Sequence, residues 1–475
     1  MLIALVTTLA LGASPNVTQL DAQEKLNDAL EARFDALCRT MKATGGLAPK
    51  EHAAAVRPRR LVWVKNCSFR ALSLSGTGGT REARLLWELD GHAADGQRVT
   101  ERGEASATLT RAKAGWSITR FEDLTRAEVF RAAPRFTDVA AEAGLTFPTA
   151  RVGHLLLGGL AVRDLDGDDT PDVVATDGAD VVAFFQRAPL RFERRVLLAG
   201  RQKMWTAGLA VADFDGDGDA DLTVAWNPGP IELFRNEAGA FTAAGVLIGE
   251  GHWHSLVPAD LDADGHLDLA ALPYPLEAVP TRVLETTNGY PLALFRGEGG
   301  LRFSRWHADF PFPKRWALAG VAADLLGQGR PQLYVANDYG SNDLWRFEAD
   351  GGLTEVAAAV GVVDPGNGMS ADVADFDGDG REDLYVANMF SKAGTRVLAS
   401  TKGVSPTTLA TLNKFAKGNT LYLARDGGFV EVAEAQGVNR GLWAFGSVFT
   451  DVDADGRLDV AVANGYLSHP NRRDS

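Results

Sequence analysis

Aspartates recur at fixed spacing in short glycine-containing loops. In the loop that begins at Asp213, carboxylates stand at positions 1, 3 and 5, a glycine stands at position 6, and Asp221 adds a carboxylate at position 9. Oxygen ligands at this spacing suit a hard cation, and calcium, which takes roughly six to eight of them, is preferred over magnesium. We expect the residue at position 7 to add a backbone carbonyl.

Equivalent loops, here called the Asp loops, begin at Asp164, Asp260, Asp375 and Asp451, so the sequence predicts about five calcium sites. The predicted ligands are the carboxylates at positions 1, 3, 5 and 9: Asp164, Asp166, Asp168, Asp172, Asp213, Asp215, Asp217, Asp221, Asp260, Asp262, Asp264, Asp268, Asp375, Asp377, Asp379, Asp383, Asp451, Asp453, Asp455 and Asp459. Three carboxylates within about 5 Å repel one another without a cation, so solvated acidic turns are the less favoured interpretation. Their repetition favours structural over catalytic ions.

Two loops depart from this pattern. The first has Asp169 where the others have the position-6 glycine, and Asp tolerates the positive φ of such a turn at a small cost. A further loop keeps Asp324 but has Leu326, Gln328 and Gln332 at the other ligand positions. We therefore predict no ion in the Asp324 loop.

The Asp loops are not EF-hands. An EF-hand loop ends in a bidentate Glu at position 12 and lies between helices. Here position 12 is apolar and lies in a β-type run: Ala175, Val224, Ala271, Val386 and Val462. Each loop is therefore predicted to join two strands.

From residue 131 onward the sequence predicts a repeat fold. Successive loops begin 49, 47, 64, 51 and 76 residues apart. Each unit contains an aromatic or aliphatic segment, a Gly/Ala-rich strand, the strand after the loop and a fourth segment such as Ile231–Phe234. The first segments begin at Phe136, Phe192, Phe241, Phe303, Leu353 and Phe429. Four short strands in such a unit predict a mainly β fold, a β-propeller of six to seven four-stranded blades over 131–475.

The repeats resemble the FG-GAP/VCBS-repeat propellers, which include the integrin α-chain head. Phe136–Leu145, its echoes at 353–362 and 429–438, and Leu-Tyr-Val-Ala-Asn at 333–337 and 384–388 resemble the cartilage acidic protein (ASPIC/UnbV) branch more closely. The resemblance covers about 340 residues and implies structural calcium and a role in adhesion or extracellular binding. Relatives commonly have seven blades, whereas six units are visible here, and Phe136–Val139 is a candidate to close the ring.

Residues 15–130 are predicted to form a small α+β domain. Helical spacing over 20–42 is followed by strand-like segments, which suggests a helix on a curved antiparallel sheet. These segments are Leu61–Lys65, Phe69–Leu74, Glu82–Leu89, Thr100–Leu109 and Trp116–Phe121. The last resembles the final strand of nuclear-transport-factor-like cones, without a catalytic motif. Cys38 and Cys67 form either a disulfide or two buried thiols.

The N-terminus and the overall charge restrict where this chain acts. Residues 1–14 read as a signal peptide that lacks a basic start, with a buried first strand or helix as the alternative. No stretch reaches membrane-spanning length. We expect a secreted, periplasmic or cell-surface protein. A net charge of −14 without a basic stripe argues against nucleic acid as a partner.

The end of each unit opposite the Asp loops is the predicted recognition face. Insertions at Pro273–Tyr290 and Met389–Lys417 lie there, with four tryptophans near the starts of the Gly/Ala-rich strands: Trp205, Trp253, Trp316 and Trp443. Such rings stack on sugars and anchor interfaces, but they also wedge blades together, and this packing role is preferred. His252 and His254 flank Trp253, and polar contacts are favoured over a metal pair because no third ligand is apparent.

The leading hypothesis is an exported, calcium-stabilised module that binds a protein or a glycan. No nucleophile elbow, HExxH helix, phosphate-binding loop or dinucleotide fingerprint occurs. The alternative is a polysaccharide-degrading lyase or hydrolase that uses His252 or His254 with a carboxylate. A third hypothesis places partner recognition in the N-terminal domain.

Overall fold

A computed structural model describes most of the chain. The described residues are 38, 61–76, 79–93, 98–112, 115–125, 127–131, 137–146, 159–176, 179–275, 278, 286, 288–390, 409, 413–414 and 416–464. They fall into two compact units, one with the residues up to Asp138 and Leu409, the other with the remaining residues from Val139 onward. The proposed signal peptide lies outside the described residues, as does the predicted helix over 20–42 apart from Cys38. No helix in these ranges has the length and apolarity needed to cross a membrane.

The first unit contains one antiparallel sheet. Its strands are β1 Leu61–Ser75, β2 Thr80–Ala93, β3 Arg98–Ala112, β4 Gly115–Asp123 and β5 Ala127–Arg131. They are ordered β1-β2-β3-β4, and β5 also pairs with β3. Along β2, Leu85, Trp87 and Leu89 point into a shared core, as period-two alternation requires. Cys38 and Cys67 form a disulfide beside that core.

One prediction for this sheet is wrong. Leu61–Lys65 and Phe69–Leu74 are not two strands, because β1 continues through both. Its register against β2 shifts three times, once between Val64 and Asn66. These bulges bend the strand without ending it. The polar residues between the two apolar runs therefore mark a bulge and not a turn.

The second unit contains six sheets in chain order. Sheet 1 is β6 Leu160–Arg163, β7 Asp172–Thr176, β8 Val181–Ala188 and β9 Arg191–Leu198; sheet 2 is β10 Trp205–Ala212, β11 Asp221–Asn227, β12 Ile231–Glu237 and β13 Ala240–Ile248. Sheet 3 is β14 Trp253–Ala259, β15 Asp268–Pro273, β16 Ala293–Gly297 and β17 Phe303–Trp306; sheet 4 is β18 Ala317–Ala323, β19 Gln332–Asn337, β20 Asp343–Phe347 and β21 Leu353–Glu355. Sheet 5 is β22 Ser370–Ala374, β23 Asp383–Ala387, β24 Thr420–Arg425 and β25 Gly428–Glu431; sheet 6 is β26 Ala444–Thr450 and β27 Asp459–Asn464.

Short helices lie before the first strands of three sheets: α1 Ala140–Ala143, α2 Ala357–Val360 and α3 Ala433–Gln436. Sheets 1 to 5 are four-stranded antiparallel meanders, and the described part of sheet 6 has two strands. The described part of Phe136–Val139, Thr137–Val139, forms no strand and leads into α1. The ring closure suggested for this segment is therefore not seen in its described part.

The sheets are offset by one strand from the units predicted in the sequence. The aromatic segments at Phe192, Phe241 and Phe303 form the fourth strand of the preceding sheet, not the first strand of the next. In β9, for example, half-buried residues alternate with exposed polar ones, and the half-buried Phe192 lies between the exposed Arg191 and Glu193. The Gly/Ala-rich strand is therefore the innermost strand, where small residues let neighbouring sheets approach. At Gly208 a Cβ would lie 2.2 Å from the carbonyl oxygen of His254 in the next sheet.

The core of this unit is divided among successive pairs of sheets. The second strands are the most buried, and every residue of β11, β15, β19 and β23 is buried. One hydrophobic cluster lies between sheets 1 and 2, and others follow between each later pair. The first strands β10, β14, β18, β22 and β26 lie side by side in that order. All loops between first and second strands therefore project from one end of the unit.

Candidate metal centres

Five Asp loops each bring three carboxylates together between a first and a second strand. Positions 1, 3 and 9 of each loop place one oxygen apiece within 4.8 Å of the others. The groups are Asp164, Asp166 and Asp172; Asp213, Asp215 and Asp221; Asp260, Asp262 and Asp268; Asp375, Asp377 and Asp383; Asp451, Asp453 and Asp459. Such groups of hard oxygen ligands can bind a metal ion.

The carboxylate at position 1 folds the loop around itself. Asp213 Oδ1 accepts the backbone N–H of Gly216 at 2.7 Å, and Oδ2 accepts that of Gly218 at 3.0 Å. Both glycines have positive φ, 80° and 98°. Position 4 is Ala263 in sheet 3 with φ 59°, a conformation that costs a non-glycine residue free energy. The backbone of the loop is therefore shaped by its own aspartate.

The carboxylate at position 9 is buried and ties the loop to the third strand. Asp221 is 0% exposed; Oδ2 accepts the N–H of Phe214 at 3.2 Å and Oδ1 that of Asn236 at 2.9 Å. Asp268 binds Leu261 and Gly297 in the same way, each at 2.9 Å. Burial raises the pKa of Asp221 and of Asp268 to about 6. The backbone hydrogen bonds lower the pKa, but their effect is smaller than that of burial.

A buried oxygen in sheet 1 supports the fit of a cation to these groups. Asp166 Oδ2 accepts a hydrogen bond from Arg187 at 2.5 Å, whereas Asp166 Oδ1 is buried and has no hydrogen-bond partner. A buried carboxylate oxygen without a partner costs free energy that a bound cation would recover. The residues present therefore fit a hard metal ion.

Comparison with family models finds the same repeats. FG-GAP-like repeats match residues 164–224, 213–271 and 324–386. The chain contains three FG-GAP-like repeats. Each match runs from the first aspartate of one loop to the second strand of the next sheet. The matched stretches therefore contain the Asp loops of sheets 1, 2, 3 and 5. No curated protein matches the sequence.

Solved structures give only distant similarity. An Agrocybe aegerita lectin that recognises non-reducing terminal N-acetylglucosamine is 14% identical with a TM-score of 0.38; 85% of this chain and 87% of that one are covered. AofleA from Arthrobotrys oligospora is 12% identical with a TM-score of 0.33, covering 80% and 92%. The V. cholerae biofilm matrix protein Bap1 is 16% identical with a TM-score of 0.25, covering 57% and 38%.

The match over 324–386 begins in a loop without the three-carboxylate group. Asp324 still binds its own loop, accepting the N–H of Gln328 at 2.7 Å and of Gly329 at 2.6 Å. Gln332 takes the place of the aspartate at position 9 and accepts the N–H of Leu326 at 2.9 Å. The turn of this FG-GAP-like repeat is thus maintained by the Asp324 carboxylate at position 1 and by a neutral amide, Gln332, at position 9.

The aspartates at position 5 lie outside the three-carboxylate groups. In the five Asp loops they accept a backbone N–H from position 7 at 2.9–3.0 Å. These residues are Asp168, Asp217, Asp264, Asp379 and Asp455. Asp264 and Asp379 also pair with an arginine of the third strand. The three-carboxylate groups therefore contain positions 1, 3 and 9, and the assignment of position 5 as a further ligand stays a prediction.

Sequence reasoning missed these arginines. Arg187, Arg235, Arg296 and Arg425 extend from the third strand to the carboxylate at position 3 of the loop in their own sheet. Arg296, for example, lies 2.6 Å from Asp262 and 2.9 Å from Asp264. An arginine one or two residues after each of these predicted fourth segments, as in Phe295-Arg296, was the available signal. Each guanidinium therefore neutralises part of the negative charge of the carboxylates that would bind an ion.

Replacing Arg296 with Leu should strengthen calcium binding in that loop several-fold. The guanidinium repels an incoming divalent ion and holds two carboxylates, so its removal favours the ion-bound loop. The same change should lower the unfolding midpoint without metal, and calorimetric calcium titration with thermal unfolding checks both. Arg346→Leu is the control, because Arg346 lies in the third strand of sheet 4 and pairs with Glu348, and the Asp324 loop of that sheet has no three-carboxylate group. Weaker calcium binding in Arg296→Leu would contradict this role.

The raised pKa values predict an unusual pH dependence for the metal-free protein. Burial raises the pKa of Asp221 and of Asp268 to about 6 in the folded protein, above the ordinary aspartate value of 3.8. Their protonation therefore favours the folded state fully below pH 4, and this stabilisation is lost as pH rises through 6. With a chelator, the unfolding midpoint should rise on acidification from pH 7 to 5, and the rise should be smaller in Asp221→Asn. With saturating calcium the sign reverses, because the ion competes with protons.

The predicted recognition face lies at the opposite end from the Asp loops. Trp205 and Trp253 begin β10 and β14, and Trp316 and Trp443 directly precede β18 and β26. Trp316 is 2% exposed and packs edge-on against Tyr274 and Tyr339. Trp253 is 7% exposed, whereas Trp205 and Trp443 are half-buried. The rings of Trp253 and Trp316 therefore contribute packing, and the other two remain partly accessible.

The two histidines have separate environments. His254 Nδ1 lies 3.1 Å from the carbonyl oxygen of Leu318, and its ring packs at a tilt against Tyr274, with 5.6 Å between ring centroids. His252 packs against Tyr290, 5.0 Å between ring centroids. Neither belongs to a group of three metal-binding side chains among the described residues. The carboxylate of Asp338 accepts a hydrogen bond from the hydroxyl of Tyr274 at 2.7 Å, and not from either histidine.

Proposed function

We propose that this chain is an exported β-propeller of six or seven blades, stabilised by about five calcium ions, that acts as a binding or adhesion module. The observation that carries the proposal is the repetition of one three-carboxylate group in five of the six sheets, at one end of the unit. A catalytic ion would be single and lie beside unlike residues, whereas a repeated ion stabilises the same hairpin in each blade. The three FG-GAP-like repeats support the same conclusion.

The chemistry of the loops favours calcium. All side-chain ligands are carboxylate oxygens, which suit hard cations, and the irregular loop geometry suits an ion that accepts variable coordination. Calcium would draw positions 1, 3 and 9 together and link the first strand to the third through the position-9 carboxylate. The Cys38–Cys67 disulfide supports an oxidising compartment, in agreement with export.

The ligand is a protein or a glycan bound at the end opposite the calcium loops. The longest connections between second and third strands lie there, in the regions 273–290 and 389–417. Trp205 and Trp443, half-buried at that end, supply aromatic surface suited to either ligand class. Calcium acts at a distance, by making rigid the sheets that present this face.

A glycan array and a pull-down from extracellular material, each with calcium and with chelator, test the proposal. We expect ligands retained by the full chain in calcium and released on chelation, and weaker retention in Trp205→Ala with unchanged calcium binding. Trp316→Phe, a change in a buried ring, is the matched control and should retain the ligand. Retention that is insensitive to chelator and to Trp205 would overturn the placement of the ligand, and turnover of a polysaccharide would favour the enzyme instead.

A further inference from the structure

A second oxygen-rich site lies in sheets 4 and 5, away from the Asp loops. It is built where the connection from α2 to β22, residues 361–369, meets the ends of β19 and β23. Backbone hydrogen bonds fix this connection: Asn342 N donates to the carbonyl oxygen of Asp364 at 2.9 Å, and Gly368 N donates to that of Asn337 at 2.9 Å. The loop is therefore held by backbone contacts at both of its ends.

Three buried asparagines in this region share one arrangement. Asn388 Nδ2 donates to Asp364 Oδ2 at 2.9 Å, Asn367 Nδ2 to Asp338 Oδ1 at 3.0 Å, and Asn337 Nδ2 to Asp343 Oδ2 at 3.0 Å. The amide orientations are fixed, because a flipped amide would turn its oxygen toward a carboxylate. Each side-chain oxygen is left buried and without a hydrogen-bond donor. The asparagines are at most 2% exposed, so water outside the protein does not reach them freely.

The negative charge here is also poorly compensated. Asp364 is 3% exposed and accepts hydrogen bonds from Asn388, from Thr420 Oγ1 at 2.8 Å and from the N–H of Gly366 at 2.9 Å. Asp343 has an ion pair with Arg315, but Asp364 has none among the described residues. A buried carboxylate beside unpaired amide oxygens costs free energy unless a positive ligand is bound. The surplus of acceptors points to a cation.

Gly366 marks where two of these oxygens converge. A Cβ built on Gly366 would lie 2.7 Å from Asn388 Oδ1 and 2.9 Å from Asp364 Oδ1. The φ of Gly366 is not in the left-handed region, so the backbone conformation does not require glycine. The absence of a side chain instead lets the Gly366 backbone pack closely against both oxygens, so that they converge beside it. We name this site, formed by Asp364, Gly366 and Asn388, the Gly366 cradle.

We propose that the Gly366 cradle binds a calcium ion, through Asp364 Oδ1 and Asn388 Oδ1. Carboxylate and amide oxygens are both calcium ligands, and water completes the coordination when few protein groups are available. This site differs from the Asp loops in chemistry and lies at the opposite end of the sheets. Asn388 is followed directly by the 389–417 connection, so the ion would order the base of the predicted recognition face.

Gly366→Ala tests the cradle by volume alone. Its methyl group would clash with Asn388 Oδ1 and Asp364 Oδ1 and push them apart without changing any charge, and we expect this to remove one bound calcium per chain in equilibrium dialysis. Gly245→Ala is the matched control, because a Cβ there meets nothing within 4 Å and the residue lies in an exposed strand. Equal calcium content in the two variants would overturn the proposal. The Asp loops are intact in both variants. If the Asp loops bound no calcium, the unsubstituted chain would already bind fewer calcium ions than expected, which distinguishes failure of the proposed function from failure of the cradle.

Asn388→Asp provides a second test, in which calcium binding at the cradle should become stronger instead of being lost. It places two carboxylates against each other, so the metal-free protein should unfold at lower temperature, and calcium should restore the midpoint. An added carboxylate should also tighten calcium binding at this site by about tenfold, since ligand charge controls affinity. If the cradle holds only an ordered water, calcium content is unchanged in Gly366→Ala and calcium does not rescue Asn388→Asp. Either result would exclude the ion.

Discussion

Saturating calcium should raise the unfolding midpoint of the metal-free chain on the order of 10 °C or more. An ion at a hundred times its dissociation constant stabilises a folded protein by about 2.7 kcal/mol per site, so five sites sum to the order of 10 kcal/mol. In a large unit each kcal/mol moves the midpoint by roughly 1–2 °C. Differential scanning calorimetry in chelator and in calcium measures this shift.

The loops themselves provide the controls for this experiment. Asp260→Ala removes a position-1 carboxylate from a complete group and should reduce the calcium-dependent rise by about one site. Asp324→Ala removes the same residue from the loop that has Gln332 at position 9, and should leave the rise unchanged although it lowers both midpoints. An equal shift with magnesium, or no shift with calcium, would contradict the assignment of the ion.

The metal centres could be predicted because their ligands are local in sequence. Positions 1, 3 and 9 belong to one hairpin, so their spacing alone determines that the three oxygens converge. The arginines are different, because Arg296 reaches Asp262 only through the register of β15 against β16. A residue placed by strand pairing carries no spacing signal in one sequence. The position-5 aspartates are predicted as ligands for the same local reason, although they lie outside the three-carboxylate groups.

The order of strands could be predicted but the division into sheets could not. Every predicted segment from Phe192 to Leu353 is a strand, yet the aromatic segment joins the preceding sheet. A periodic sequence has no intrinsic starting point, and pairing decides where a unit begins. Likewise, the spacing located Trp316 at the end opposite the loops but not its burial against Tyr274, because Tyr274 lies in a different connection.

The Gly366 cradle shows a further limit. Asp364 and Asn388 are far apart in sequence, and their meaning depends on which way an amide points. No pattern of residues in the sequence indicates that a side-chain amide oxygen lacks a hydrogen-bond donor. Only the hydrogen-bond partners of the asparagines reveal it.

Asp268→Ala should cause the largest loss among single substitutions in the Asp loops. Asp268 is 0% exposed, and its two oxygens accept the N–H groups of Leu261 and Gly297. Truncation leaves both buried donors unpaired, at about 1–3 kcal/mol each, and removes a ligand from the metal group. We therefore expect a fall of roughly 2–5 kcal/mol in the free energy of unfolding without metal, and a further loss in calcium because one site no longer binds.

Gln332→Ala separates these two contributions. Gln332 has the equivalent place in sheet 4, is 1% exposed and accepts the N–H of Leu326, but it belongs to no three-carboxylate group. Its truncation should destabilise the chain to a similar degree without metal and leave the number of bound calcium ions unchanged. Denaturant unfolding in chelator and in calcium, with ion counts by dialysis, distinguishes the variants. If Asp268→Ala kept the full number of bound ions, the position-9 carboxylate would be a tie between strands only, and the ligand set would have to be drawn from positions 1, 3 and 5.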